Sequence, residues 1–238
     1  MRIGIIAALP GELKTLVRGW PRQQSTTNGI TIWRTEQHGD ELIAACGGMG
    51  AEAAMRSFTA AEFFGSLDLV LSVGWAGALD SGMRSAECYL PSEIIDVQTG
   101  ERFLLAEGKR VLRLVTTPSV ADKQEKRRMW RSYSAALVDM EAATVARLAQ
   151  IRGIPICCFK AVSDSPDANL PDLNPFIDAA GQMLMLKFLM HISVRPRFWR
   201  PLMTLGRNSR KAEKAIAAKV QRFLIEKDVS RANRTGAV

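Results

Sequence analysis

Apolar and polar residues fall in blocks along this chain, and the period of each block predicts an element. Arg2–Leu9 is a short β-branched run ending in Pro10-Gly11, the pattern of a buried strand and its turn. Glu12–Arg18 then takes helical spacing. Ile30–Glu36 and Glu41–Cys46 flank His38-Gly39-Asp40 and predict a hairpin. Gly47-Gly48-Met49-Gly50 leads into the alanine-rich helical pattern of Ala51–Phe64. Asp68–Val73 is another buried strand and runs into Gly74-Trp75-Ala76-Gly77. Strand patterns also cover Cys88–Ile95, Arg102–Leu105 and Val111–Thr116, while Lys123–Tyr133 reads as a charged helix or loop. Asp139–Arg152 predicts a helix closed by Gly153 and Pro155. Ile156–Val162 reads as an apolar strand, and Phe176–Ile192 as an apolar helix.

Strands thus alternate with helices, and several strands are apolar throughout, which predicts an α/β sheet covered by helices on both faces. The early hairpin makes that sheet mixed. No internal repeat interrupts the pattern. A compositional break near Val194–Arg200 divides residues 1–192 from a basic extension, residues 193–238.

Composition narrows the function classes. Of 238 residues, 47% are hydrophobic and 24% charged, a balance that excludes wholesale disorder and fibrous repeats. The net charge of +8 is unevenly placed: residues 1–190 carry −1 and residues 191–238 carry +9. A protein that wraps nucleic acid around its whole surface is excluded, and a basic appendage on a near-neutral core remains. Cys46, Cys88, Cys157 and Cys158 form no C-x-x-C pair and read as buried, reduced thiols of a cytoplasmic protein. His38 and His191, far apart, do not suggest a zinc site. Met1-Arg2 opens directly into a strand pattern without a cleavable leader, and Met183–Ile192, interrupted by Lys187, is too short to span a bilayer.

Candidate chemistry sits where open α/β sheets place it, beyond the carboxyl ends of strands. Glu12 follows the first strand, Asp164 follows Ile156–Val162, and Asp139 and Glu141 stand where a helix begins. Each also has an ordinary role, because helix starts favour acids and Ser-Asp-Ser-Pro is a turn. Gly48-Met49-Gly50-Ala51-Glu52-Ala53 fits G-x-G-x-x-A, with Asp68 eighteen residues on, so a dinucleotide site is an alternative. The motif follows a hairpin strand, however, and does not open the first βαβ unit.

Five segments in order, RIGIIAALPGEL, GGMG, VLSVGWAGAL, VDMEAATVARLA and FKAVSDSPD, resemble the purine nucleoside phosphorylase and nucleosidase superfamily over residues 1–190. The middle, Val97–Leu137, is shortened and divergent. The likeness is strongest to the methylthioadenosine/S-adenosylhomocysteine nucleosidase branch. It implies a three-layer α/β/α sandwich with a central mixed sheet, no metal or organic cofactor, a small-molecule nucleoside substrate and a homodimer. It also implies roles. Asp164, beside Ser163, is the acid to purine N7, and Glu12 activates water. Glu141 and Met140 hold the ribose; Asp139 and Met49 stand at the same site. Protonating the base, placing a nucleophile behind C1′ and holding the hydroxyls are what cleavage of an N-glycosidic bond requires. Three positions depart from the family pattern. Asp139 stands where the nucleosidases usually have Glu. Trp75 replaces a small hydroxyl residue, and the base-stacking aromatic is missing, with Val120 the nearest residue. Glu12 also stands where phosphorylases carry arginine, which favours hydrolysis. A phosphate-dependent phosphorylase and a non-catalytic, membrane-associated binding protein of the same fold stay open.

In the extension, RPRFWR precedes a segment near Ser209–Leu224 whose apolar positions Ala212, Ile216, Val220, Phe223 and Leu224 recur at helical spacing. Such a basic amphipathic helix suits the anionic inner face of a membrane, or packs its stripe on the core or on a partner. The extension is similar to that of the hopanoid-associated branch of the superfamily, which implies an adenosylated lipid substrate.

Overall fold

A computed structural model describes residues 1–23, 29–105 and 111–235, with the side chains of 230–235 left aside. Residues 106–110 of the divergent middle lie outside the described residues.

The strands are β1 (Arg2–Ala7), β2 (Arg22–Gln23), β3 (Thr31–Gln37), β4 (Asp40–Cys46), β5 (Leu69–Ala78), β6 (Cys88–Tyr89), β7 (Glu93–Asp96), β8 (Arg102–Leu104), β9 (Arg113–Thr116), β10 (Leu137–Asp139) and β11 (Ile156–Asp164). The helices are α1 (Pro10–Leu13), α2 (Ala51–Glu62), α3 (Lys123–Tyr133), α4 (Ala142–Ile151), α5 (Met185–Ser193) and α6 (Trp199–Thr235). The sheet runs β2-β3-β4-β1-β5-β10-β9-β7-β8, with β11 along β5 and β6 along β11. β1, β4, β5 and β11 are mutually parallel along this path, and the β3–β4 hairpin is antiparallel, so the sheet is mixed as the pattern predicts. β5 is the hub: it pairs with β1 over Leu69–Ser72, with β11 over Val70–Gly77 and with β10 at Gly77 and Ala78.

Alternation divides each strand between two layers. Ile3 and Ile5 of β1 face a cluster with Leu42, Leu71 and Phe159, whereas Ile6 faces one with Ile43, Phe58 and Val145. α2 and α4 cover the second face, and α6 with Leu13 of α1 covers the first. Gly4 leaves room in β1 for Leu67, whose Cδ1 would lie 2.7 Å from an added Cβ. This is the three-layer α/β/α sandwich.

Several boundaries differ from the pattern. α1 is a single turn, and Leu16 and Val17 continue its buried face in turns that end at Gly19, φ +82°. Cys88–Ile95 splits at Pro91 into β6 and β7. Asp139 closes a strand, and its helix starts only at Ala142, because Asp139 and Thr116 cap the free N–H groups of Ala142 and Ala143. Lys123–Tyr133 is a helix, set by a capping box between Asp122 and Glu125. The largest difference is Phe176–Ile192. Asp178 accepts backbone N–H groups of Ala180 and Gln182, and Gly181 takes φ +76°. That turn breaks the apolar run into a strap, bridged at Ile177 and Met183, and the shorter α5. In α6, Ala212, Ile216, Val220 and Leu224 are buried in the first cluster, so this stripe packs on the core. No helix among the described residues is long and apolar enough to cross a membrane.

Candidate active site

The carboxyl ends of β1, β4, β5 and β11 converge on one edge, and β10 enters antiparallel to β5 so that Asp139 arrives among them. Glu12, 4% exposed, sits at the third position of α1 and reaches back over the turn. Its Oε2 accepts from the N–H groups of Ala8 and Leu9, each at 2.9 Å, and its Oε1 accepts from Trp75 N–H at 2.7 Å. Burial pushes this carboxyl up; the Leu9 and Trp75 N–H groups and the nearby Lys160 only partly oppose that. Gly74 makes the approach possible, because a Cβ there would lie 2.8 Å from Glu12 Oε1.

A second cluster adjoins it. Lys160, 1% exposed, lies in the middle of the β11 run read as apolar, and its Nζ meets Asp139 Oδ2 at 2.8 Å. Asp139 also accepts from Thr116 Oγ1 at 2.7 Å and Ala142 N–H at 2.9 Å. Both carboxyl oxygens are therefore engaged within the fold, and Asp139 holds Lys160 and the start of α4. Glu141 accepts from Gly50 N–H at 2.7 Å, tying the glycine turn to α4. Burial and the Asp139 carboxylate push Glu141 up to about 8, with Lys160 opposing. One buried ammonium thus faces three carboxyls.

Glu141 makes the stability of the fold depend on pH. Its carboxyl rises from 4.5 to about 8, so the folded chain keeps a proton that the unfolded chain gives up between those values. The stabilisation is complete below the lower value and is lost as pH rises through the upper one. Glu141→Gln removes the titration. The variant is expected to gain stability relative to the parent on going from about pH 5 to about pH 9, on the order of 1–3 kcal/mol. Denaturant melts across that range check it; a difference independent of pH sinks the assignment.

The third group is Asp164, at the end of β11 where a bulge shifts the register against Gly77. Ser163 Oγ lies 2.6 Å from Asp164 Oδ1 and 3.2 Å from the Ala76 carbonyl. Lys126 Nζ, from α3, donates to Asp164 Oδ2 and to the Ser165 carbonyl, the latter at 3.0 Å.

A cavity of about 320 Å³ opens above the glycine turn, lined among others by Met49, Gly50, Thr117, Met140, Arg147 and Ile177. Glu141 joins its floor to the buried cluster through Gly50, while Glu12 and Asp164 lie outside its lining. A larger hollow, about 690 Å³, runs along Lys123, Arg127 and Arg131 of α3 and includes none of these carboxyls. The strap closes on the turn: Met49 N–H donates to Gly181 O at 2.8 Å, and Gln182 Nε2 to Gly47 O at 2.8 Å. Gly48 has φ +117°, and a Cβ there would lie 2.8 Å from Ala180 O. These glycines admit the chain's own strap, which argues against a dinucleotide lying there.

Trp75 packs its ring over Gly11 and against the first core cluster, and its buried Nε1–H has no partner among the described residues. Val120 is not brought to the cavity lining; its backbone pairs with the Asn174 side chain at 2.8 and 3.1 Å. Lys160, Lys126 and Thr116 were not among the candidates. The signal for Lys160 is a lone charge in an apolar strand. Among the described residues, no cluster of three or more His, Cys, Asp or Glu is placed to hold a metal ion.

Comparison with known proteins adds to this geometry. A sequence model of the phosphorylase superfamily matches residues 2–119 and 113–183. The chain is 24% identical to the 5′-methylthioadenosine/S-adenosylhomocysteine nucleosidase of Shewanella halifaxensis, over 76% of this chain and 94% of that one. The corresponding nucleosidase of Buchnera aphidicola is 22% identical, over 72% and 81%. Among solved structures, the futalosine hydrolase of Helicobacter pylori superposes with a TM-score of 0.69 at 16% identity, over 93% of this chain and 98% of that one. The 5′-methylthioadenosine nucleosidase of Arabidopsis thaliana gives 0.69 at 18%, over 93% and 95%. At these identities the structures share the fold.

Proposed function

The chain belongs to the phosphorylase superfamily, and from that premise we propose that it hydrolyses the N-glycosidic bond of an adenosine-type nucleoside and releases adenine. The observation that carries this reading is the setting of Glu12. The backbone N–H groups of Ala8, Leu9 and Trp75, which could hold a phosphate, are taken by the chain's own carboxylate. A carboxylate repels phosphate and suits the activation of water. Asp164, steadied by Ser163, delivers a proton to purine N7. Glu141 takes the ribose hydroxyls while Met140 and Met49 pack on the sugar from the cavity wall. Asp139 holds Lys160 and the start of α4. Trp75 serves through its backbone N–H.

The 5′ group of the substrate is apolar in this reading, as in methylthioadenosine or an adenosylated lipid. The strap that lines the cavity leads directly into α5. From α5 into the start of α6, Leu186 and Val194 are each 73% exposed, and Met185, Leu189, Met190, Trp199 and Met203 are exposed as well. Lys187, Arg197 and Arg200 are exposed in the same stretch of chain. A homodimer, which the family resemblance implies, is the competing cover, but apposing two such cationic stretches repels, whereas anionic lipid attracts them. We therefore assign the face to the inner surface of a membrane, with the enzyme on the cytoplasmic side and a lipid-linked adenosine as the favoured substrate.

The test is release of the free base, each time with and without phosphate: adenine from methylthioadenosine, S-adenosylhomocysteine and an adenosylated lipid in anionic vesicles, and hypoxanthine from inosine. Release from an adenosine compound without phosphate is expected, and release only with phosphate makes the protein a phosphorylase. Co-sedimentation with those vesicles at low salt is expected, and its absence alongside a concentration-dependent dimer gives the α5 face to a second copy.

A further inference from the structure

The proposed acid, Asp164, is not a lone carboxyl. Lys126 comes from α3, 4% exposed, and is one of that helix's two buried residues with Met129. Its chain passes Gly77 so closely that a Cβ there would lie 3.1 Å from Cε and 3.2 Å from Nζ. The absence of a side chain at position 77 is what lets the ammonium through to Asp164. Ser163 completes the arrangement. Its single hydroxyl proton faces two acceptors, the Asp164 carboxyl and the Ala76 carbonyl. With Asp164 ionised, the hydroxyl donates to the carboxylate; with Asp164 protonated, it can accept from the acid and donate to Ala76. The site therefore has hydrogen-bond partners for both protonation states.

Resting on the nucleosidase reading, we propose that Lys126 is the proton reservoir behind Asp164, a positioning residue that loads the acid for each turnover. A lysine ammonium in water holds its proton across the neutral range, whereas an aspartic acid has lost its own. In the step, an Nζ–H bond of Lys126 breaks as an O–H bond forms on Asp164, and that O–H bond breaks as N7–H forms. The C1′–N9 bond breaks with its electron pair going to the purine. A water oxygen bonds to C1′ and leaves its proton on Glu12. Glu12 returns that proton to solvent, solvent reprotonates Lys126, and the sum is nucleoside plus water giving adenine plus free sugar.

The other charged groups bordering this pair are accounted for. Lys123 and Arg127 of α3 both pair with Asp167 beyond β11, and Asp122 and Glu125 cap α3. Asp139, next to the Val138 that pairs with Gly77, holds Lys160.

The test compares Lys126→Met and Lys126→Arg with the parent in single-turnover adenine release across pH. Lys126→Met is expected to lower kcat by about 100-fold with little change in KM, and to move the alkaline limb of the profile to lower pH, since the reservoir is gone. Lys126→Arg keeps the charge, but a guanidinium does not give up its proton in proteins, so it is expected not to rescue kcat. If Lys126 only holds Asp164 ionised, the limb moves the other way, to higher pH, and Arg rescues; either result overturns the proposal. If the parent releases no adenine at all, the nucleosidase reading is what has failed. A second measurement then judges the pair alone: heteronuclear NMR of the Lys126 ammonium in the parent, whose hydrogen bond to Asp164 is expected to show as a coupling from Nζ to the carboxyl carbon. Absence of that coupling overturns the proposal, and the same spectrum serves if either variant fails to fold.

Discussion

Glu12→Gln is expected to slow adenine release by about 1,000-fold while leaving the fold intact. The carboxamide has nearly the shape of the carboxylate but cannot take a proton from water. It has one acceptor oxygen where the parent has two, and three backbone N–H groups point at this side chain. At least one of them, from Ala8, Leu9 or Trp75, loses its partner, at a cost of about 1–3 kcal/mol. Against that, the variant no longer buries an ionisable carboxyl, so the net change in stability is small. Single-turnover kinetics with a thermal melt on the same sample separate the two effects. A variant within a fewfold of the parent rate removes Glu12 from the chemistry.

The largest expected loss of stability lies at a residue that touches no substrate. Lys160→Met leaves Asp139 buried with the Thr116 hydroxyl and the Ala142 N–H but without its ammonium, beside the Glu141 carboxyl. Removing one member of a buried ion pair costs about 3–5 kcal/mol, because the remaining charge is stranded away from water. In a chain of this length that lowers Tm by roughly 6–20 °C. The double variant Lys160→Met, Asp139→Asn is expected to recover much of the loss, since the amide is neutral and its oxygen can still accept from Thr116 or Ala142. Denaturant melts of the four proteins form the cycle. If the single variant melts within about 2 °C of the parent, the ion pair is not what holds this part of the site.

How much of this was legible follows from the kind of signal each residue leaves. β1, β4 and β5 are read directly, because a buried strand in this fold is apolar on both faces and Ile3, Ile5 and Ile6 all find cover. Glu12, Glu141 and Asp164 stand out as candidates because chemistry in such sheets gathers past strand ends, and the roles proposed for them come from the family resemblance. Phe176–Ile192 misled because apolar content is common to a helix and to a strap pressed on a glycine turn. What decides between them is a local contest, the Asp178 side chain against helical hydrogen bonds. Lys126 was hidden for a different reason. α3 is so densely charged that its sequence does not show which lysine turns inward, and only its three-residue spacing to Met129 marks the buried side. The stripe of α6 was visible, but its destination on β5 and β11 depended on tertiary packing.

The central claim is that water, not phosphate, attacks C1′ of an adenosine-type nucleoside in this site. The direct measurement is to run the reaction in ¹⁸O-labelled water with phosphate present and weigh the sugar product. The account predicts free adenine and a free sugar carrying one ¹⁸O at C1′. A sugar 1-phosphate without label, or no adenine from any adenosine compound, contradicts it.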